Sequence, residues 1–208
     1  MTQDILHPAA RTARRSRRTL RAAVALVAAL SAARSADSQP TLVAESEEER
    51  AAAIKAAFVL NFARYATWPS DRFAGPDSPI VARVLGDPLV AEALTHLAAR
   101  AGEVSGRHLV VATSADRYSD AESPHLVYIG HDTPADDVPA LVDELAGAGI
   151  LTVGDVDDFA RRGGMLGLVL EGNRILFDAN VAALSESGVG ISARVLKLAR
   201  YVERDRGP

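Results

Sequence analysis

The chain has 208 residues, 48% apolar and 24% charged, with no cysteine and a formal net charge of −4. This length supports one ordinary domain with a sizeable core, and the apolar content argues against wholesale disorder. Zero cysteine excludes disulfides, zinc ribbons, iron–sulfur clusters and thiolate catalysis, and the mild acidity argues against a nucleic-acid binder.

Residues 1–33 read as an export signal. Arg11, Arg14, Arg15, Arg17, Arg18 and Arg21 form a basic stretch, and Ala22–Leu30 is apolar without interruption. Ser31-Ala32-Ala33 then supplies small residues for a cut after Ala33. The apolar run is far short of the ~20 residues that span a bilayer, so no permanent membrane helix is expected. Ser16-Arg17-Arg18-Thr19-Leu20-Arg21 also resembles a twin-arginine signal. The alternative is a basic amphipathic tail. Cleavage leaves 17 basic and 26 acidic residues, a net of −9. Such a chain has no charge-driven affinity for anionic membranes, and export without cysteine suits the bacterial periplasm.

Residues 34–44 read as a linker, 45–203 as one domain and 204–208 as a tail. Ser46 and Glu49 form a capping-box pattern opening a long helix. Ile54, Phe58, Phe62 and Tyr65 fall on one face at helical spacing, and Trp68-Pro69 ends the helix. Four short apolar runs follow: 80–85, 109–112, 126–129 and 150–153. The first, third and fourth are closed by Gly86, Gly130 and Gly154. Helical patterns at 88–99 and 136–146 alternate with these runs, and Asp87-Pro88 is a good helix start. Asp155 is expected to cap a short helix ended by Gly163-Gly164.

The runs 165–170 and 174–178, joined by Glu171-Gly172-Asn173, read as a hairpin. Helices are expected at 181–186 and 191–203. In the second, Ile191, Val195, Leu198 and Val202 form an apolar stripe, and Arg194, Lys197, Arg200 and Arg204 a basic one. The expected fold is α/β: a mostly parallel sheet with helices on both faces and a C-terminal antiparallel hairpin at the sheet edge.

Catalytic motifs are absent: no nucleophile elbow, zincin helix, phosphate loop or dinucleotide fingerprint occurs. His125 and His131 flank one strand at opposite ends. His131 with Asp132, Asp136 and Asp137 sketches a metal site, but no fixed ligand spacing supports it, and a solvated loop is preferred. No metal, cofactor or enzymatic activity is expected. Ligands of open parallel sheets sit at the carboxyl ends of strands. Here Asp87, Ser114, His131 and Asp155 mark a candidate crevice, hostile to phosphate and open to a neutral or cationic ligand. The bland reading makes the three aspartates at these strand ends, Asp87, Asp132 and Asp155, helix caps.

Several segments together resemble the YfiR family. They are Lys55-Ala56-Ala57-Phe58-Val59-Leu60-Asn61-Phe62-Ala63-Arg64-Tyr65-Ala66-Thr67-Trp68-Pro69, Val84-Leu85-Gly86-Asp87-Pro88, Leu151-Thr152-Val153-Gly154-Asp155, and Phe159-Ala160-Arg161-Arg162-Gly163-Gly164-Met165. Phe177-Asp178-Ala179-Asn180 and the stretch 191–199 complete the ordered set. Phe58, Trp68, Gly86, Gly163, Gly164 and Asn180 carry the pattern.

The resemblance implies a periplasmic, non-enzymatic α/β protein. Members of the YfiR type bind the periplasmic sensor region of an inner-membrane diguanylate cyclase, hold it inactive, and so lower cyclic-di-GMP and biofilm formation. Others accompany different membrane sensors or outer-membrane receptors. Redox sensing through disulfides, associated with the family, is closed to a cysteine-free chain. The expected function is therefore negative regulation by protein contact, as a homodimer, with no nucleic acid and no stable membrane insertion. Arg161, Arg162, Arg194, Lys197 and Arg200 are the expected partner surface. The alternative is a small-ligand-binding module using the strand-end crevice.

Overall fold

Ser46 accepts a hydrogen bond from the Glu49 amide, and the Glu49 carboxylate returns one from the Ser46 amide. This capping box starts helix α1 (Glu47–Tyr65) in a computed structural model that describes residues 46–112 and 123–203. The expected export signal, linker and 204–208 tail, and Ser114, lie outside the described residues.

The buried face of α1 takes in only the middle of the aromatic stripe, Phe62 with Phe58 partly buried beside it. Ala52, Ala56, Val59 and Ala63 are buried, whereas Ile54 and Tyr65 are largely exposed. Small side chains let α1 lie close along α2 (Pro88–Ala101), and Phe58 and Phe62 reach over the sheet to Phe177. The helix also ends before Trp68-Pro69. Ala66–Thr67 becomes strand β1, which pairs antiparallel with β9 (Gly190–Ile191). A ladder with a segment distant in the sequence ends the helix before the local stop signal.

The main sheet is built from β2 (Ile80–Leu85), β3 (Glu103–Val104), β4 (Arg107–Ala112), β5 (Leu126–Ile129), β6 (Leu151–Gly154), β7 (Leu166–Glu171), β8 (Arg174–Asn180) and β10 (Tyr201–Glu203). Their order is β10-β8-β7-β6-β5-β2-β4-β3. Pairs β4–β2–β5–β6–β7 are parallel, and β7–β8 is the antiparallel hairpin. β10 runs parallel outside β8, and β3 closes the other edge antiparallel to β4.

Helices cover both faces. Leu126 and Tyr128 point into the core under α1 and α2, while Val127 and Ile129 pack beneath α3 (Val138–Leu145). A strand buried on both sides needs apolar residues at every position, which accounts for the unbroken runs.

Two expected helices are absent. Residues after Asp155 form successive turns around the buried Phe159. A Cβ on Gly164 would strike the Phe159 ring, and one on Gly154 would approach it at 2.8 Å. Gly164 therefore serves ring packing rather than a helix end. Residues 191–203 contain only the one-turn α5 (Ala193–Leu196), between β9 and β10. The Arg200 amide donates to the Phe177 carbonyl at 2.8 Å, which turns the chain onto the sheet edge. Tertiary hydrogen bonds consume the stretch before a helix can extend. The remaining helix, α4 (Val181–Ser187), matches the expected one.

Phe62 is buried against Phe58 and Phe177, with centroids 5.9 and 5.1 Å away. Replacing Phe62 by Ala should cost about 3–5 kcal/mol of unfolding free energy. A urea midpoint shifted down without a change in slope checks this.

Candidate functional site

Gly86, Gly130 and Gly154 close or follow three neighbouring parallel strands, β2, β5 and β6. The chain leaves β2 for β4 on one side, then returns to place β5 on the other. This is the topological switch point of an open parallel sheet, where the strand ends diverge into a crevice. Any Cβ on Gly130 would collide with the Gly86 carbonyl and with Asp87. Gly86 has φ +64°, and a Cβ there would strike Thr133. The glycines let the two strand ends touch, and that contact aims the next residues together.

Those residues are Asp87, His131 and Asp155. Asp87 is buried, and its Oδ1 accepts from the Val90 amide at 3.0 Å as the cap of α2. Its Oδ2 faces Lys55 Nζ at 3.3 Å. Asp155 Oδ2 lies 2.5 Å from the same ammonium. His131 Nδ1 stands 3.5 Å from each of these carboxylate oxygens. Lys55 comes from α1, so one helix side chain ties together the ends of β2 and β6.

Burial disfavours the charge on Lys55, but the hydrogen bond and charge of Asp155, then those of Asp87, outweigh it. The ammonium is therefore held above the usual lysine range. Behind the cluster sits Tyr128, fully buried. Burial, then the charges of Asp155 and Asp87, push its phenol far above the usual range, so it stays protonated. Its hydroxyl lies against Asp155 without a well-formed hydrogen bond, and Asp155 Oδ1 has no partner. A cavity of about 370 Å³ opens beside the cluster, lined by Lys55, Asp87, His131, Asp132 and Glu48.

Asp87, His131 and Asp155 thus lie together at the strand ends. Asp87 is a cap, and Asp155 is not: it is an ion-pair partner, because the expected helix gives way to turns. Asp136 and Asp137 stay exposed outside the cluster. Asp132 touches only the far side of His131, its Oδ1 3.5 Å from Nε2. Lys55 has no motif signal, since its partners lie 32 or more positions away. One signal was present: Lys55 is one of two lysines beside 21 arginines.

His125 is a satisfied core histidine. Its Nδ1 accepts from the Val81 amide at 3.1 Å, and its Nε2 lies 3.0 Å from the Arg72 carbonyl. The family-pattern residues are mostly architectural. Trp68 Nε1 donates to the His125 carbonyl at 2.8 Å. Asn180 caps α4 through Oδ1 and donates from Nδ2 to the Ala160 carbonyl at 2.9 Å. Gly163 and Asn180 also line a second cavity of about 480 Å³, with Val142, Leu145, Thr152 and Met165.

The basic residues do not form a helical stripe. Arg200 clamps Asp178 with Nε and Nη2 at 2.9 and 2.7 Å. Arg161 lies over the Tyr201 ring, 5.2 Å from its centroid, and Arg162 donates to the Ala135 carbonyl at 3.2 Å. Arg194 and Lys197 are exposed on and just after α5.

The YfiR/HmsC-like family model matches residues 52–200, and the chain belongs to that family. No curated protein matches the chain. Among the described residues, no helix is long and apolar enough to cross a membrane.

Lys55→Met leaves two buried carboxylates without their cation and should cost about 3–5 kcal/mol. The pH dependence has a definite sign. Because the folded-state pKa is raised, the Lys55 contribution is complete below the ordinary value of 10.5 and is lost as pH rises through the raised one. Urea titrations across the alkaline range should show this fall in the wild type and not in Lys55→Met.

Proposed function

We propose that this chain is an exported, non-enzymatic regulator. It binds the periplasmic region of an inner-membrane signalling protein and holds a diguanylate cyclase inactive, lowering cyclic-di-GMP. The observation that carries this reading is the family match over residues 52–200. The charge-locked state of Lys55 supports it: an ammonium paired with two carboxylates is neither a free base nor a nucleophile. The N-terminal pattern of a basic stretch, an apolar run and a small-residue cut site supports export to the periplasm, with residues 45–203 as the working domain.

Regulation by contact needs only a preference for the inactive state of the partner. A shift from mostly active to mostly inactive takes about 5.5 kcal/mol of such preference. The contact surface in this reading is Arg161, beside Tyr201 of β10, with Arg162, Arg194 and Lys197. Arg200 belongs to that edge as its anchor, through Asp178. A homodimer is the working assembly.

The chain, expressed at full length with a C-terminal tag, should capture from detergent-solubilised membranes a protein with a periplasmic sensor and a cyclase domain. Reversing the charges of Arg161, Arg162, Arg194 and Lys197 should weaken capture at least about tenfold, while the circular dichroism spectrum is unchanged. Equal capture by that variant rejects the surface. Failure of the wild type to retain any inner-membrane signalling protein rejects the function.

A further inference from the structure

The strand-end cluster offers more than one ion pair. Asp87 Oδ2, Asp155 Oδ2 and His131 Nδ1 face one another from three different loops, and such donor atoms lie within 4.8 Å of each other. Both His131 distances are 3.5 Å. That is close to the edge of a coordination tetrahedron whose metal–ligand bonds are about 2.0–2.1 Å. Imidazole plus two carboxylates is a donor set for first-row divalent ions rather than for magnesium or calcium, which prefer oxygen throughout.

A second observation stands apart from the acidic cluster. The Tyr128 hydroxyl is fully buried against Asp155 and makes no well-formed hydrogen bond there. Asp155 Oδ1 is likewise buried and unpartnered. Buried polar groups are ordinarily satisfied, and neither atom has a well-formed partner within the protein. A metal with a bound water supplies one: the water donates to Asp155 Oδ1 and accepts from Tyr128, as outer-shell partners of metal ligands commonly do.

The obstacle is Lys55, whose ammonium holds the same two oxygens. It also defines the mechanism. With Lys55 in place the carboxylates are partly neutralised. With Lys55 withdrawn, two carboxylates and a neutral imidazole match a divalent ion in charge. The lysine stem is long, and the adjoining cavity offers Glu48, seven residues earlier on the same helix, as a new partner.

We propose that Asp87, His131 and Asp155 form a site for a zinc-like divalent ion, in competition with the ammonium of Lys55. Metal binding and the docking of Lys55 on the strand ends exclude each other, so the ion releases the charge tie between α1 and the sheet. The site shares no residue with the partner surface described above, and its test does not depend on that reading.

The test is calorimetric titration of Zn²⁺ into the untagged, chelator-stripped full chain, with Mg²⁺ as comparator. Saturable binding of Zn²⁺ and none of Mg²⁺ is expected. His131→Ala, at an exposed position, should weaken Zn²⁺ at least about tenfold. Lys55→Met, if folded by circular dichroism, should tighten it by a similar factor, because its competitor is gone. His96→Ala should change nothing. No saturable Zn²⁺ binding, or equal affinity in wild type and His131→Ala, overturns the site. Weaker binding in folded Lys55→Met overturns the competition.

Discussion

Lys55 carries one positive charge to a point where two buried carboxylates would otherwise face each other. Asp87 ends β2 and Asp155 ends β6, and neither can be placed there without a counter-charge. The pairing does not have to add net stability. Replacing a whole buried ion cluster by apolar groups is often neutral, whereas removing one member is costly. Its consequence is positional. The cluster sets α1 against the strand ends at one register, and the apolar face of α1 then packs along α2.

Local backbone chemistry makes that cluster possible. Gly86 and Gly130 permit a contact between strand ends that any side chain would block. The contact brings Asp87 and His131 together at the switch point of the sheet. On the opposite face Phe159 fills the space left by Gly154 and Gly164, which shapes the turns leading to the hairpin. Glycines on both faces serve close approach, and polar residues cluster only where the strand ends open.

The C-terminal stretch follows a different logic. Ile191 joins a small ladder with β1, Val195, Leu196 and Ala199 pack on the core, and Arg200 pins the edge strand through Asp178. Each contact ties a residue to a segment distant in sequence. An exposed edge is thereby short and charged, which discourages uncontrolled strand pairing. Arg161 stays exposed beside that edge, and Arg194 and Lys197 stay exposed on and just after α5.

Strands β2, β4, β5, β6, β7 and β8, the capping box at Ser46 and Glu49, the Asp87-Pro88 helix start and the hairpin at Gly172 were legible in the sequence, whereas β1, β3, β9 and β10 were not. Each legible element depends on residues within a few positions of one another, so local propensity and periodicity decide them. The end of α1, the loss of helix over 191–203 and the role of Asp155 were not legible, because the deciding partners are Gly190, Phe177 and Lys55, far along the chain. The candidate site divides in the same way. Asp87, His131 and Asp155 were visible as strand-end residues, a property of each strand alone. That they meet around Lys55, beside the buried Tyr128, was decided only by strand order and by the helix laid across it. Electrostatic pairing acts through space, and the sequence states only distance along the chain.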